Sequence, residues 1–218
     1  VSPGIKTIEC ENLANSLCEK YKVKPAFKGY CGFPFALCCS VNEEIVHGFP
    51  SDKILQEGDI VSFDMGVIHK DFYGDAARTF TVGEVAPQIK DLITVTEDAL
   101  YKGIENAYPE NNLYSISGSI QKYVEGKGYS VIKRFVGHGI GTKLHEKPEI
   151  PNFIPKRSNP LPLKTGMVLA IEPMVAMGGD EVEILDDNWT AVTKDRSLTA
   201  HFEHTIAVLK DGPEILSV

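Results

Sequence analysis

The stretch Asp59–Val82, DIVSFDMGVIHKDFYGDAARTFTV, decides the fold, because it reads as two β-strands rich in Ile, Val, Phe, Tyr and Thr joined by a turn. A tight two-residue loop at His69-Lys70 would set Ile68 against Asp71 and Asp64 directly against Asp75. Opposed residues share a face of a sheet, with Cβ atoms roughly 4.5–5.5 Å apart. Two bare carboxylates that close repel and raise each other's pKa unless a cation lies between them. The plain alternative is that one or both aspartates end or edge a strand, as Asp commonly does. Both, however, stand inside apolar runs rather than at their ends.

Around this hairpin, 218 residues suffice for one domain with a substantial core, and 1–218 is read as that single domain because no repeat, low-complexity segment or charge run marks a boundary. Twenty-two Lys and Arg against 30 Asp and Glu leave a net charge of −8, which argues against an electrostatic grip on DNA or on anionic membranes. No apolar run approaches the roughly 18–20 residues that span a bilayer. Cys10, Cys18, Cys31, Cys38 and Cys39 are odd in number and lack CxxC pairs, so reduced thiols in the cytoplasm are expected. Val1 is not followed by a charged-then-apolar leader, so no signal peptide is expected.

Upstream, the recurrence of Leu13, Ala14, Leu17 and Tyr21 predicts a helix from Thr7 to about Tyr21, with Glu9 and Glu11 near its positive end. Residues 25–39, PAFKGYCGFPFALCC, suit an irregular wall followed by a short strand through Ala36-Leu37-Cys38. Phe27, Tyr30 and Phe33 there either pack a core or line a ligand pocket. A short strand through Ile45 and Val46 ends at His47.

Downstream, helices are predicted over Pro87–Tyr108 and about Tyr114–Glu125, then a strand near 129–135. In FVGHGIGTKLHEKP, Gly137, Gly139 and Gly141 surround His138 and suggest backbone that lies close to a ligand, with His145 following. The spacing fits neither the Walker nor the Rossmann phosphate cradle. Residues 151–166 hold four prolines and read as a surface loop, and Glu172 ends a buried strand before Pro173, where an acid is costly unless paired. A last strand from about Ala200 to Leu209 puts His201, Glu203 and Thr205 on one face.

Asp64, Asp75, His138, Glu172 and Glu203 thus offer four carboxylates and one imidazole on strand interiors or ends, a set that suits two divalent ions sharing oxygen ligands. Two such ions polarise a carbonyl and generate hydroxide near neutral pH. His47, His145 and His201 stand by as neutral donors or proton carriers.

Over essentially its full length the chain resembles the type I methionine aminopeptidases of the creatinase/prolidase "pita-bread" family. The resemblance rests on NEEIVHGFP, DIVSFDMGVIHKDFYGDAARTF, GHGIGTKLHEKP, LAIEPMV, DRSLTAHFEHT and the lone Trp189. It implies an α+β fold, a curved antiparallel sheet with helices on its outer face. It implies that Asp64 chelates one metal, that Asp75 and Glu203 bridge two, and that His138 and Glu172 complete the other site. It further implies attack on the scissile carbonyl by a hydroxide between the metals, with Glu172 as proton carrier, His145 steadying the oxyanion and His47 contacting the next amide. The substrate's free α-amine is expected to meet the metal near Asp64. The methionine pocket maps onto Phe27, Tyr30, Phe33, Cys38, Leu144 and Trp189, with His201 beside it.

Relatives often carry Cys, Tyr and Phe where Phe27, Phe33 and Leu144 stand, and Gln where His201 stands. The interval between Glu172 and Glu203 leaves no room for the insertion of type II enzymes. The expected activity is removal of N-terminal methionine before a small second residue, with two ions of Mn, Fe, Co or Zn as cofactors. Met-initiated peptides and nascent chains are the expected substrates, the ribosome is a further candidate partner, and the expected form is a monomer. A small Xaa-Pro dipeptidase and a non-catalytic pita-bread binding module are the competing readings.

Overall fold

The computed structural model describes residues 1–156 and 159–217. It opens with helix α1 (Thr7–Tyr21), which forms where expected but buries a different stripe. Thr7, Glu11, Ala14 and Cys18 face inward, while Leu13, Leu17 and Tyr21 are exposed. The buried Glu11 carboxylate is the reason for this roll. It accepts hydrogen bonds from the backbone N–H of Ala36 and Leu37 at 3.0 Å and from Asn15 at 2.7 Å, so its charge is fully engaged. Glu11 therefore tethers the following wall rather than serving the helix dipole.

Next come β1 (Lys24–Pro25), a 3₁₀ turn (Tyr30–Gly32), β2 (Cys38–Val41) and β3 (Glu44–Val46). Strand β2 starts two residues later than the sequence suggested, because Ala36 and Leu37 spend their N–H groups on Glu11. The central hairpin is β4 (Ile60–His69) and β5 (Phe72–Thr81). Its turn is Lys70-Asp71, both at positive φ (49° and 67°), the backbone that a type I′ hairpin requires. The expected His69-Lys70 turn is thus wrong by one residue, and Asp64 pairs with Ala77 while Asp75 pairs with Gly66. Moving a turn by one position moves every partner by two residues. Asp64 and Asp75 are therefore diagonal neighbours, not directly opposed, but they keep the same face.

Helices α2 (Pro87–Ile104) and α3 (Leu113–Gly126) follow, the first shorter than predicted by one turn. Pro87 suits the first turn of α2, and Asn112 caps α3 by accepting from Tyr114 N–H at 2.9 Å. The chain continues through β6 (Ser130–Val131), β7 (Gly137–Gly139), β8 (Glu146–Ile150), β9 (Val168–Ile171), β10 (Met174–Ala176), β11 (Val182–Ile184) and β12 (Ala191–Thr193). It closes with β13 (Thr199–His201), β14 (Glu203–Leu209) and β15 (Gly212–Ile215). Strand β6 is much shorter than the expected 129–135. The expected single last strand is two, broken at Phe202, whose N–H turns to the carbonyl of Pro173. Of the proline-rich stretch 151–166, residues 157 and 158 lie outside the described residues.

Among the described residues the ladders are antiparallel, and the large sheet runs β1-β4-β5-β14-β9-β7-β8, with β2 on β4 and β15 on β14. Two three-stranded sheets, β13-β10-β6 and β11-β12-β3, complete the curl. The alternation along β14 explains its two faces. Ile206 and Val208 join Leu92, Leu100, Ile116 and Ile120 in the buried cluster under α2 and α3, while Glu203 and Thr205 face the other way. Gly103 lets the two helices close, since a Cβ there would lie 2.8 Å from Ile120. Burying each such Leu or Ile contributes about 1.5–3 kcal/mol, so the helices hold the sheet's curvature from outside. No described helix is long and apolar enough to cross a membrane.

Candidate metal centre

Five adjacent strands, β4-β5-β14-β9-β7, each bring one polar side chain to the concave face. Asp64 and Glu203 flank Ala77 from its two neighbouring strands, and Asp75 lies two residues along β5 on the same face. Glu172 is one residue beyond Ile171, the partner of His204, which places it beside Glu203. His138 pairs with Ala170 on β9. One ligand atom from each of Asp75, His138 and Glu203 lies within 4.8 Å of the others, with Asp64 and Glu172 at the sides.

Neighbouring groups hold these side chains in place. Thr205 Oγ1 accepts from Asp75 N–H at 2.9 Å and donates to Asp75 C=O at 2.8 Å, stitching β14 to β5 just where the backbone ladder stops at His204 and Ala76. Thr79 does the same for the N–H and C=O of His201. The buried Asn152 amide donates to the Glu172 carbonyl at 2.9 Å. His138 Nδ1 lies 2.9 Å from the Gly139 carbonyl, so Nδ1 carries the proton and Nε2 turns a bare lone pair to the site, 3.6 Å from Glu172 Oε1.

This set is electrostatically unstable without a cation. Burial first, and then repulsion from neighbouring carboxylates, hold Asp64, Glu172 and Glu203 well above the usual carboxylate range, and burial pushes Asp75 up to about 7. Burial also takes His138 down to about 4, which keeps its imidazole neutral and able to donate its lone pair. Asp64 Oδ1 and Glu203 Oε1 are buried without a hydrogen-bond partner. Orphaned buried oxygens are costly, and an oxygen-loving divalent cation is the group this donor set fits.

Beside the centre lies a cavity of about 650 Å³. The sequence-derived pocket residues Phe27, Tyr30, Phe33, Cys38, Leu144 and Trp189 all line it, together with His47 and His145. Cys38 pairs with Asp64, so the thiol sits at the junction of pocket and carboxylates, and burial holds it protonated, well above its usual pKa. Phe33 meets Trp189 edge-on at 5.1 Å and Phe49 at 5.5 Å. Asp187 accepts from the N–H of Trp189 and of Thr190, both at 2.8 Å, fixing the loop that presents the indole. Gly66 lets Phe27 lie across β4, since a Cβ there would come 2.7 Å from the ring.

His47 sits at positive φ (61°), a conformation costly for a non-glycine residue. Its ring faces Phe135 at 5.5 Å, and burial lowers its pKa to about 4. His145 hydrogen-bonds through Nδ1 to the Tyr30 hydroxyl at 2.8 Å, its ring is 4.4 Å from that of His138, and desolvation lowers its pKa.

One expectation changes, and another gains a second reason. His201 does not line the cavity. It is 1% exposed, behind Glu172, with Nε2 3.6 Å from Glu172 Oε2 and its pKa brought down to about 3 by burial, so it faces the carboxylate rather than a substrate. The glycines beside His138 also serve strand packing: a Cβ on Gly137, which lines the cavity, would strike the Ala170 carbonyl, and one on Gly139 the Lys147 carbonyl. Sequence reasoning missed Val46, Phe135 and Arg134 in the cavity wall, and Thr205 and Asn152 as supports. Phe135 carries a sequence signal, standing two residues before the glycine–histidine segment. Nothing local marks Asn152.

A curled antiparallel sheet that gathers four carboxylates and an imidazole beside an apolar cavity defines a metal-dependent hydrolase. The chain belongs to metallopeptidase family M24, which matches residues 1–210. It is 52% identical to a methionine aminopeptidase of Clostridium perfringens over all 218 residues, which cover 87% of that protein. It superposes on the crystal structure of methionine aminopeptidase from Thermotoga maritima with a TM-score of 0.96 and 47% identity, covering 100% of this chain and 87% of the other. A prolidase from Pyrococcus furiosus shares the fold at a TM-score of 0.79 and 21% identity, with all of this chain matching 57% of that one. The architecture is accordingly the pita-bread fold of these enzymes, and family membership implies divalent metal ions.

Proposed function

We propose that this chain removes N-terminal methionine from peptides and nascent proteins whose second residue is small, using two divalent ions. The observation that carries this reading is the convergence of Asp64, Asp75, His138, Glu172 and Glu203 from five neighbouring strands beside an aromatic, thiol-lined cavity. Asp64, Asp75, His138, Glu172 and Glu203 would hold the ions, with Asp75 and Glu203 serving both, Asp64 one and His138 with Glu172 the other. When bound, the ions supply Lewis-acid polarisation of a carbonyl and acidification of water near neutral pH. Their identity is drawn from Mn, Fe, Co and Zn, all compatible with oxygen and imidazole donors.

The chain's own residues supply the rest. The pocket of Phe27, Phe33, Cys38, Leu144 and Trp189 takes the unbranched thioether of methionine by apolar contact. His145, neutral near pH 7, donates to the developing oxyanion, and such a donor acts where charge appears in the transition state. His47, half-buried and neutral, contacts the amide after the scissile bond and with Phe135 narrows the room for the second side chain. Glu172 carries the proton from the attacking water toward the leaving amine, with its backbone held by Asn152.

A monomer working in the cytoplasm on chains leaving the ribosome completes the proposal. The methionine aminopeptidases at 47–52% identity favour it over the dipeptidase reading, for which the likeness at 21% extends to the fold alone. The five assembled side chains count against a binding module that has lost its ligands. Asp75→Asn and Glu203→Gln test the assignment. Each should abolish methionine release and lower bound metal on elemental analysis while the fold persists, and undiminished metal content with full activity would overturn it.

A further inference from the structure

Tyr30 is half in the cavity wall and half in solvent, at 38% exposure, and by shape alone it is one more aromatic of the methionine pocket. Its hydroxyl, however, lies 2.8 Å from His145 Nδ1, and the two rings meet edge-on with centroids 5.1 Å apart. A neutral imidazole carries one proton on one of its two nitrogens, and the partner of the other nitrogen selects which. A phenol is the better acid and a bare ring nitrogen the better acceptor, so this pair is strongest with Tyr30 donating. Nδ1 is then bare, and the proton is on Nε2, the nitrogen left for a substrate. The reverse arrangement would leave His145 with only a lone pair to offer, useless against a developing negative charge. The segment holds the hydroxyl there by its backbone: Gly29 and Cys31 both sit at positive φ (86° and 48°), and Tyr30 N–H donates to the Phe27 carbonyl at 2.9 Å.

We propose that Tyr30 is a positioning residue that locks His145 in the Nε2–H tautomer, so that the imidazole enters each turnover as a donor. The inference rests on the oxyanion role given to His145 above, yet its first consequence is a tautomer and not a rate. Tyr30→Phe keeps the ring and deletes only the hydroxyl, whose partly exposed position leaves folding undisturbed.

The experiment is a long-range ¹H–¹⁵N correlation spectrum of histidine-labelled protein, metal-free and loaded with diamagnetic zinc, alongside steady-state kinetics on Met-Ala-Ser. Wild-type protein should show His145 protonated on Nε2, and Tyr30→Phe should show a mixture of tautomers. In the variant kcat should fall about 10-fold with KM changed less than about 2-fold, as for loss of one aligned hydrogen bond. In a His145→Ala background the same change should lower kcat no further, because Tyr30 then has nothing to position. A wild-type His145 protonated on Nδ1 would overturn the proposal, as would a variant with unchanged tautomer and kcat. A raised KM with kcat intact would reduce Tyr30 to a wall of the pocket. A chain that releases no methionine while its spectra behave as stated would end the aminopeptidase reading and leave the tautomer lock standing.

Discussion

Replacing Thr205 by Val probes how the centre is held open without touching any of its five side chains. Thr205 is 2% exposed, and its hydroxyl makes both bonds that join β14 to Asp75, at 2.9 and 2.8 Å. Val keeps the volume and the β-branch, so the loss is the hydroxyl alone. The N–H and the carbonyl of Asp75 both lose the partner shown for them, and the buried N–H is left with no acceptor. A stranded buried donor costs about 1–3 kcal/mol. For a chain of this length about 2 kcal/mol lowers Tm by roughly 4–8 °C. Because Asp75 is also freed to shift, affinity for a divalent ion should fall about 10–100-fold, as when an outer partner of a metal ligand is removed. Thermal melts in chelator report the first effect and calorimetric metal titration the second. Thr205→Ser, which restores the hydroxyl, should recover most of both. A Val variant that melts within about 1 °C of wild type and binds metal equally well would refute the view that this side chain replaces the missing rung.

Three further outcomes follow from the same geometry. His145→Ala should lower kcat by about 10²–10³ while KM changes little, since the donor acts on charge absent from the ground state; a rise in KM alone would make it a binding residue. Met-Gly-Met and Met-Ala-Ser should be cut fastest, Met-Leu-Ser should be nearly inert, and norleucine should replace methionine with a loss of only about 1–3 kcal/mol in transition-state binding; rapid cleavage of Met-Leu-Ser would contradict the narrow second site. Metal-free protein should lose stability as pH rises above about 7.5. In that range unfolded histidines are neutral, so the depressed His47, His138 and His201 no longer contribute, and Asp75, at about 7, has released most of its proton; Asp64, Glu172 and Glu203, held well above the carboxylate range by burial and neighbouring carboxylates, lose the stability of their retained protons as pH climbs through their folded values. Denaturant melts in chelator at about pH 7.5 and about pH 9 measure this, and a stability that is flat or rising across the interval would contradict it.

The sequence made the centre legible because its residues break local rules. Asp64 and Asp75 interrupt apolar strands, and Glu172 and Glu203 put acids where strands are buried, so each stands out against its neighbours. Their common face survived a misplaced turn, because face depends only on parity along the strand while partner depends on the turn. Helical periodicity misplaces the inward stripe of α1, because Glu11 is drawn inward by the N–H groups of Ala36 and Leu37, a contact 25 residues away that the periodicity does not contain. Strand alternation puts His201 on one face with Glu203 and the family resemblance puts it beside the pocket, yet the chain breaks at Phe202 and the two residues belong to different sheets. Thr205 and Asn152 are ordinary residues in sequence and acquire their roles only when β14 meets β5 and the loop at Asn152 meets Glu172.

The most direct test is a titration of metal-stripped protein with one divalent ion, following free methionine released from Met-Gly-Met, with the dipeptide Ala-Pro as the competing substrate. No methionine should appear before metal is added, activity should rise to a plateau as the ion fills the site, and Ala-Pro should remain intact throughout. Methionine release by the stripped protein, or efficient hydrolysis of Ala-Pro at the plateau, would contradict a metal-dependent methionine aminopeptidase built on Asp64, Asp75, His138, Glu172 and Glu203.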